Sequence, residues 1–353
     1  MKGAVFVGGR QVELQDFDDP TPGEGEVVVE IKASGMCGSD LHFYRAPGGA
    51  PEMARKLGLG GDGKPVINGH EPCGIVAARG PGVPKHQAPD GQRVSIHHYA
   101  GCEVCPDCRS GWSQLCKEGS MQVYGVTGHG AHAKYMKVPA FTLVPLHDEL
   151  SFETGAAISC GTTTAYGALK RMEMAGGHTL AVFGQGPVGL SGVLLAKAMG
   201  MRVIAVDVTA DRLALAKTCG ADELVNAADT DAVEELRKLT GSKGVDYALE
   251  ASAHPDARLA SARGTRTWGK VAFVGEGGQV TFDVSPDLIR RQLTVIGSWT
   301  FSSGIQDECT RFIADNGVAI DKLITDRWPI SEIDVAYEKF DKQQMGKGII
   351  DPS

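Results

Sequence analysis

Long apolar runs are missing from this chain. None approaches the roughly 18 residues that a membrane-spanning helix needs. No secretory leader is expected from the first residues either: residues 1–9 hold one Lys and a short apolar stretch broken by Gly8 and Gly9, and residues 10–19 are strongly polar. Positive charge is not in excess. With 35 Lys and Arg against 43 Asp and Glu, the net charge is −8, which sets aside nucleic acid or an anionic membrane as the main partner. An even cysteine count is also lacking, and nine cysteines without a leader make a poor disulfide framework. The expectation is a soluble, cytoplasmic protein whose cysteines are metal ligands, catalytic groups or small buried hydrophobes.

What is present divides into two textures within 353 residues, enough for two domains. The first 145 or so are rich in Gly, Pro and β-branched runs, with strands expected at 4–7, 27–33, 74–78, 93–97 and 133–138, as in a small β barrel or sandwich. The Gly- and Pro-heavy stretch 45–69 reads as a long loop. From Ser151 a helix is expected over 152–172, and strands then alternate with helices. The strands fall at 179–183, 202–207, 223–226, 245–250, 270–274 and 293–296. The helices fall at 187–199, 210–219, 231–239, 255–263 and 286–291, with another over 332–340 opened by Ser331. Six short apolar strands with helical crossovers predict an α/β, doubly wound parallel six-stranded sheet of Rossmann type.

The first of those strands runs into Gly184-Gln-Gly186-Pro187-Val188-Gly189, and a helix follows. Three glycines alone would be weak in a chain that has 47. In this strand–turn–helix setting, Gly184 permits a tight turn, Gly186 lets the backbone approach a pyrophosphate and Gly189 lets helix and strand pack closely. The helix N-terminus, beginning with Pro187 and Val188, offers free N–H groups to the phosphates. Eighteen residues past Gly189, Asp207 ends the second strand, where a carboxylate accepts from ribose hydroxyls and repels a 2′-phosphate, favouring NAD over NADP. Arg212, five residues on, could tolerate that phosphate; the plainer reading is a solvated helix face.

Cys102, Cys105, Cys108 and Cys116 are spaced C-x2-C-x2-C-x7-C. Four thiolates this close suit tetrahedral Zn²⁺, and a full shell leaves no room for substrate, so this site reads as structural. The spacing does not match the C-x2-C-x2-C-x3-C-Pro run of iron–sulfur proteins.

Three further segments, Cys37-Gly-Ser39-Asp40-x-His42, Gly69-His70-Glu71 and Ser159-Cys160-Gly161, say little one at a time. Taken with the cysteine segment and the glycine turn, in this order over essentially the whole chain, they resemble the zinc-dependent medium-chain dehydrogenases, which include alcohol, polyol and threonine dehydrogenases. The resemblance implies a GroES-like β-rich catalytic domain from residues 1–150 and 297–353, with a zinc lobe at about 98–118, and an NAD-binding Rossmann domain from 151–296. It implies that Cys37, His70 and Cys160 hold a catalytic zinc that Glu71 can approach, so that two Zn²⁺ bind per chain. It also implies that Asp40 orients the ligand His, that Ser39 and His42 relay a proton, and that Thr164 packs on the nicotinamide. The expected substrate is a small alcohol or the matching carbonyl, a secondary alcohol or polyol foremost, and the expected assembly is a homodimer or homotetramer.

This chain departs from the pattern in two places. Some polyol dehydrogenases carry Glu where it has Cys160, and the 33-residue step from Cys37 to His70 is long. Two other readings stay open: a metal-independent NADPH reductase of the same superfamily, and an NAD-sensing zinc protein without turnover. Cys73, Cys219 and Cys309 read as buried hydrophobes, and His97, His98, His129 and His132 as surface or core residues. Tyr44 and Trp299 read as cleft or packing residues.

Overall fold

The computed structural model describes residues 1–353 apart from 57, 59–62, 120 and 344. Its contacts divide the chain into two units, Met1–Cys160 with Phe301–Asp315 and Ile324–Ser353, and Gly161–Thr300 with Asn316–Leu323. Compared with the boundaries expected from sequence, residues 151–160 belong to the first unit, and 297–300 and 316–323 to the second.

In the second unit, six strands run in the order Glu223–Asn226, Arg202–Asp207, Thr179–Phe183, Val245–Glu250, Thr265–Phe273 and Thr294–Gly297. Every pairing is parallel. The central strands are near-continuous apolar runs such as Leu-Ala-Val-Phe, buried on both faces, because crossover helices cover the sheet on each side. The helices start where their first turns can be satisfied. Asp231 accepts from Val233 N and Glu234 N, and Pro187 and Pro255 open their helices, where a missing N–H costs nothing. The helix expected at 286–291 is instead a short turn, Val284–Asp287, followed by a 3-10 turn, Ile289–Arg291, which ends at left-handed Gln292.

The first unit is built on a sheet ordered Ile324–Pro329, Lys347–Asp351, Glu26–Gly35, Glu71–Arg79, Arg93–Ile96 and Leu143–Pro145, with Tyr135–Pro139 also pairing with Glu26–Gly35. The C-terminal strand therefore completes the sheet begun by the N-terminal segment, with Ile349 opposite Gly35 and Ile350 opposite Ser34. A polar strand, Gln11–Asp16, pairs with Lys2–Gly8; its lack of an apolar run left it unexpected. Part of the stretch expected to be loop, Gly49–Lys56, is a helix that buries Ala50 and Ala54, and residues 57 and 59–62 of that stretch lie outside those described.

The helix expected over 152–172 is interrupted. It runs as Phe152–Ala157, then a π turn, Ile158–Thr162, then Thr163–Arg171. Single π turns inside helices often mark functional sites, and this one carries Cys160. Among the described residues, no helix is long and apolar enough to cross a membrane.

Ser151 caps the Phe152–Ala157 helix, its Oγ accepting from Thr154 N at 3.0 Å. Ser151→Ala should cost about 1 kcal/mol of stability. A fall in the urea midpoint checks this, and an unchanged midpoint contradicts it.

Candidate active site and metal centres

Strand Glu26–Gly35 ends with Gly35 opposite Glu71, the first residue of the neighbouring strand. The chain on either side of that last pair therefore brings Cys37 and His70 together. The π turn adds Cys160, because Ser159 Oγ donates to Pro72 O at 2.6 Å, on the strand that starts beside His70. The ligand-type atoms of Cys37, His70 and Cys160 all lie within 4.8 Å of one another, and all three residues are buried. Two thiols and an imidazole at this spacing fit a soft-to-borderline cation such as Zn²⁺, and three protein donors leave a tetrahedral ion one free position.

The protonation pattern follows from the contacts. His70 Nδ1 lies 2.8 Å from Asp40 Oδ1 and donates to it, which leaves Nε2 on the side of Ser39. Ser39 Oγ lies 3.1 Å from that Nε2. Burial works against a charged His70, but Asp40 and Cys37 outweigh it and hold its pKa well above the ordinary value. Cys160 Sγ, 4.0 Å from Cys37 Sγ, donates to it and keeps the Cys37 thiol well below its usual pKa against burial; the same contact and burial drive Cys160 up. One proton is thus shared between two sulfurs, and a cation entering here would displace it.

Glu71 is wholly buried and forms an ion pair with Lys347, which also donates to Met36 O at 3.2 Å. Burial pushes Glu71 up, to about 7, against the pull of Lys347. His98 packs edge-on against His70 with ring centroids 5.2 Å apart, and its Nδ1 donates to Ser159 O at 2.9 Å. Burial holds it well below the usual histidine pKa, hence neutral.

Cys102, Cys105, Cys108 and Cys116 form the second cluster, with their sulfurs within 4.8 Å of one another. The Cys105 and Cys108 backbone N–H groups donate to Cys102 Sγ and Cys105 Sγ at 3.3 and 3.5 Å, and Cys105 caps the short helix Pro106–Arg109. The donation from Cys108 N lowers the Cys105 thiol, while burial pushes Cys108 up to about 12. Four sulfurs fill a tetrahedral shell without any other donor.

In the second unit, Gly184 takes φ +86° and the helix begins at Pro187. A Cβ on Gly189 would meet Gly184 O at 1.8 Å, whereas one on Gly186 would meet nothing within 4 Å. The turn is therefore closed on its helix side and open at Gly186, where a pyrophosphate could approach, and Val188 is half-buried beside it. Asp207 Oδ2 accepts from Gln185 N at 2.6 Å, and Oδ1 accepts from Val208 N and Thr209 N at 2.8 and 3.0 Å. A carboxylate has about four acceptor positions, so one is left over.

The structure adds to and corrects the sequence-based view. Arg212 is not simply a solvated helix side chain, because its Nε is buried without a partner. His42 is exposed and makes no side-chain hydrogen bond to Ser39 among the described contacts. Thr164 is buried in the first turn of Thr163–Arg171. Tyr44 packs with Phe6 and Tyr337, its ring centroid 6.0 and 5.6 Å from theirs. His97, His98 and His132 are core residues and His129 is exposed, while Cys73, Cys219 and Cys309 are buried. Sequence reasoning missed Lys347 and Tyr337. The one signal for Lys347 was a lone charge in the run Gly346-Lys347-Gly348-Ile349-Ile350.

Residues 23–148 match the family model for the alcohol dehydrogenase GroES-like domain, and residues 187–315 match that for zinc-binding dehydrogenases. The chain is 36% identical to the uncharacterized zinc-type alcohol dehydrogenase-like protein YphC of Escherichia coli (strain K12), over 99% of this chain and 98% of YphC. It is 30% identical to a sorbitol dehydrogenase of Bacillus subtilis (strain 168), over 96% of this chain and 93% of that enzyme. A putative zinc-binding dehydrogenase from Sinorhizobium meliloti 1021, solved bound to NADP, superposes with a TM-score of 0.87 at 25% identity, covering 99% of each chain.

If the four-cysteine cluster is structural, Cys105→Ser should lower the melting temperature while molecules that remain folded keep their specific activity. Unchanged melting with lost activity would contradict that role.

Proposed function

The chain belongs to the zinc-binding alcohol dehydrogenase family, whose enzymes are oxidoreductases acting on CH–OH, and we propose that it is an NAD-linked dehydrogenase for a secondary alcohol or polyol, interconverting it with the ketone or aldehyde. The observation that carries the proposal is the convergence of Cys37, His70 and Cys160, three buried donors from distant segments. The sorbitol dehydrogenase relative supports the polyol side of the substrate class. Two Zn²⁺ per chain are proposed, one held by the trio and one by the four cysteines.

When bound, Zn²⁺ supplies Lewis acidity that makes an alcohol hydroxyl easier to deprotonate or a carbonyl easier to reduce, and NAD supplies the hydride acceptor. The chain's own residues do the rest. Cys37 and Cys160 give up their shared proton to become two thiolate donors, and Asp40 holds the His70 Nδ1 proton so that Nε2 faces the ion. Ser39, whose Oγ sits at Nε2, is placed to receive the substrate proton, and exposed His42, which makes no direct side-chain bond to Ser39 among the described contacts, would pass it to solvent by way of the cofactor's hydroxyls. Lys347 holds the Glu71 carboxylate as an ion pair beside the trio, from which it can approach the metal. Thr164 is proposed to pack on the nicotinamide, the turn from Gly184 to Gly189 to take the pyrophosphate, and Asp207 to accept from the ribose with its remaining acceptor position.

Cys37→Ser and His70→Ala should each reduce alcohol-dependent NADH formation by more than the roughly 10–100-fold seen for outer-shell partners of metal ligands, and zinc content should fall by one equivalent. Full turnover in either variant removes the proposed mechanism. Asp207→Ala deletes a charged hydrogen bond of about 1.5–3 kcal/mol. The kcat/KM ratio for NAD over NADP should therefore fall about ten-fold or more. A wild-type enzyme that already prefers NADP would show the cofactor assignment to be wrong.

A further inference from the structure

Behind Asp40 lies a line of buried polar groups that none of the chemistry above uses. Asp40 accepts from His70 on Oδ1, and on Oδ2 it accepts from Cys37 N at 2.8 Å and from the Tyr337 hydroxyl at 3.0 Å. Tyr337 Oη is 2.7 Å from His132 Nε2, and His132 Nδ1 is 2.8 Å from Ser34 Oγ. Tyr337, His132 and Ser34 are each 0% exposed, and Asp40 is 2% exposed.

The direction of every bond in this line is fixed by its last acceptor. Tyr337 has one hydroxyl hydrogen, and it goes to the Asp40 carboxylate, so its oxygen must accept from His132 Nε2–H. His132 Nδ1 then carries the lone pair and accepts from Ser34 Oγ–H. All the donors point towards Asp40, whose carboxylate ends with three of them, while the two further bonds, from His132 and Ser34, reach it only through Tyr337.

Packing alone does not call for this arrangement. The Tyr337 ring already fills the core against Phe6 at 4.8 Å and Tyr44 at 5.6 Å, and a phenylalanine would fill the same space without a buried hydroxyl to satisfy. His132 is placed just as tightly. It lies on the backbone of Gly69, the residue before His70, where φ is +87° and an added Cβ would come within 2.6 Å of His132 Nδ1. His132 therefore bears on His70 from two directions, through the backbone at Gly69 and through Tyr337 and Asp40.

We propose that Tyr337 and His132 are positioning residues that fix the plane of the Asp40 carboxylate and, through it, the His70 imidazole as a metal donor. This rests on reading Cys37, His70 and Cys160 as a metal site. The Cys37 N–H and the Tyr337 hydroxyl share Oδ2 and pin the carboxylate at one end, while His70 takes the other. Without the Tyr337 hydroxyl, Asp40 can turn about its side chain, and the imidazole loses the orientation that points Nε2 at the ion.

The test is the rate at which the zinc-loaded protein releases metal to a chromophoric chelator. The slow and fast phases are assigned with Cys37→Ser, which lacks the trio's phase, and Cys105→Ser, which lacks the cysteine lobe's. Tyr337→Phe should speed release from the trio about ten-fold, the lower end of the range for outer-shell partners, and leave the lobe's phase unchanged. Unchanged or slower release from the trio overturns the proposal. His132→Gln keeps an N–H for Tyr337 and should release at the wild-type rate, whereas His132→Leu should match Tyr337→Phe. If Tyr337→Phe does not fold, this pair decides alone: equal rates for the two His132 variants overturn the proposal. A wild-type protein in which no release phase depends on Cys37 refutes the metal reading itself, and the positioning role falls with it.

Discussion

The register between two strands carries the geometry of the candidate site. Because Gly35 stands opposite Glu71, the last residues of one strand and the first of the other bracket a single point, and Cys37 and His70 meet there. A slip of one residue would turn every side chain of Glu71–Arg79 to the opposite face. The register is held from both sides: Met36 N donates to Gly348 O at 3.0 Å, and the C-terminal strand continues the sheet alongside Ser34 and Gly35. Cys160 comes from a different kind of element, but Ser159 ties its π turn to Pro72 and to Gly155 O, next to the same strand pair. Three distant donors meet because one stretch of sheet leaves no other placement.

Such a site gathers negative charge in a place with little water, and the surrounding residues answer each charge separately. Glu71 is matched by buried Lys347, and Asp40 is shared among three donors. What is left for a divalent cation is two thiolates and a neutral imidazole, a donor set whose charge it balances. An unpaired buried carboxylate would cost several kcal/mol, so losing Lys347 would leave Glu71 either to take a proton or to turn towards the trio. The lysine therefore decides where the Glu71 charge resides as much as whether it is present.

The sequence foretold these features unevenly, and range in sequence is the reason. The parallel sheet was readable strand by strand, since 179–183, 202–207, 223–226 and 245–250 are apolar runs between turn signals and helix starts. The four-cysteine lobe was readable because its donors share one short segment. Helix Ser303–Asp315 and strand Gln11–Asp16 were missed although each carries a short period, Ile305, Cys309, Phe312 and Ile313 in the helix and Val12 and Leu14 in the strand. The interruption at Ile158–Thr162 was hidden inside a good helical pattern. Cys37, His70 and Cys160 were marked out only by resemblance, since one Cys or His has no local signature. Tyr337 and His132 had none at all: their roles come from contacts 297 and 205 residues apart in the chain.

The two proposed metal centres consequently stand in different relations to folding. Cys102 and Cys116 close a loop of fifteen residues, whereas Cys37 and Cys160 are separated by 123. Bringing the more distant pair together in an unfolded chain costs about 2 kcal/mol more in loop-closure entropy, and each cysteine brings only one donor. The lobe can therefore gather its ion from a nearly unstructured segment, and metal binding there can help to order it. The trio cannot act that way. Its sulfurs and imidazole become neighbours only once strands Glu26–Gly35, Glu71–Arg79 and Lys347–Asp351 have paired and the π turn has docked on Pro72, so its capacity to hold a cation is a product of the finished sheet.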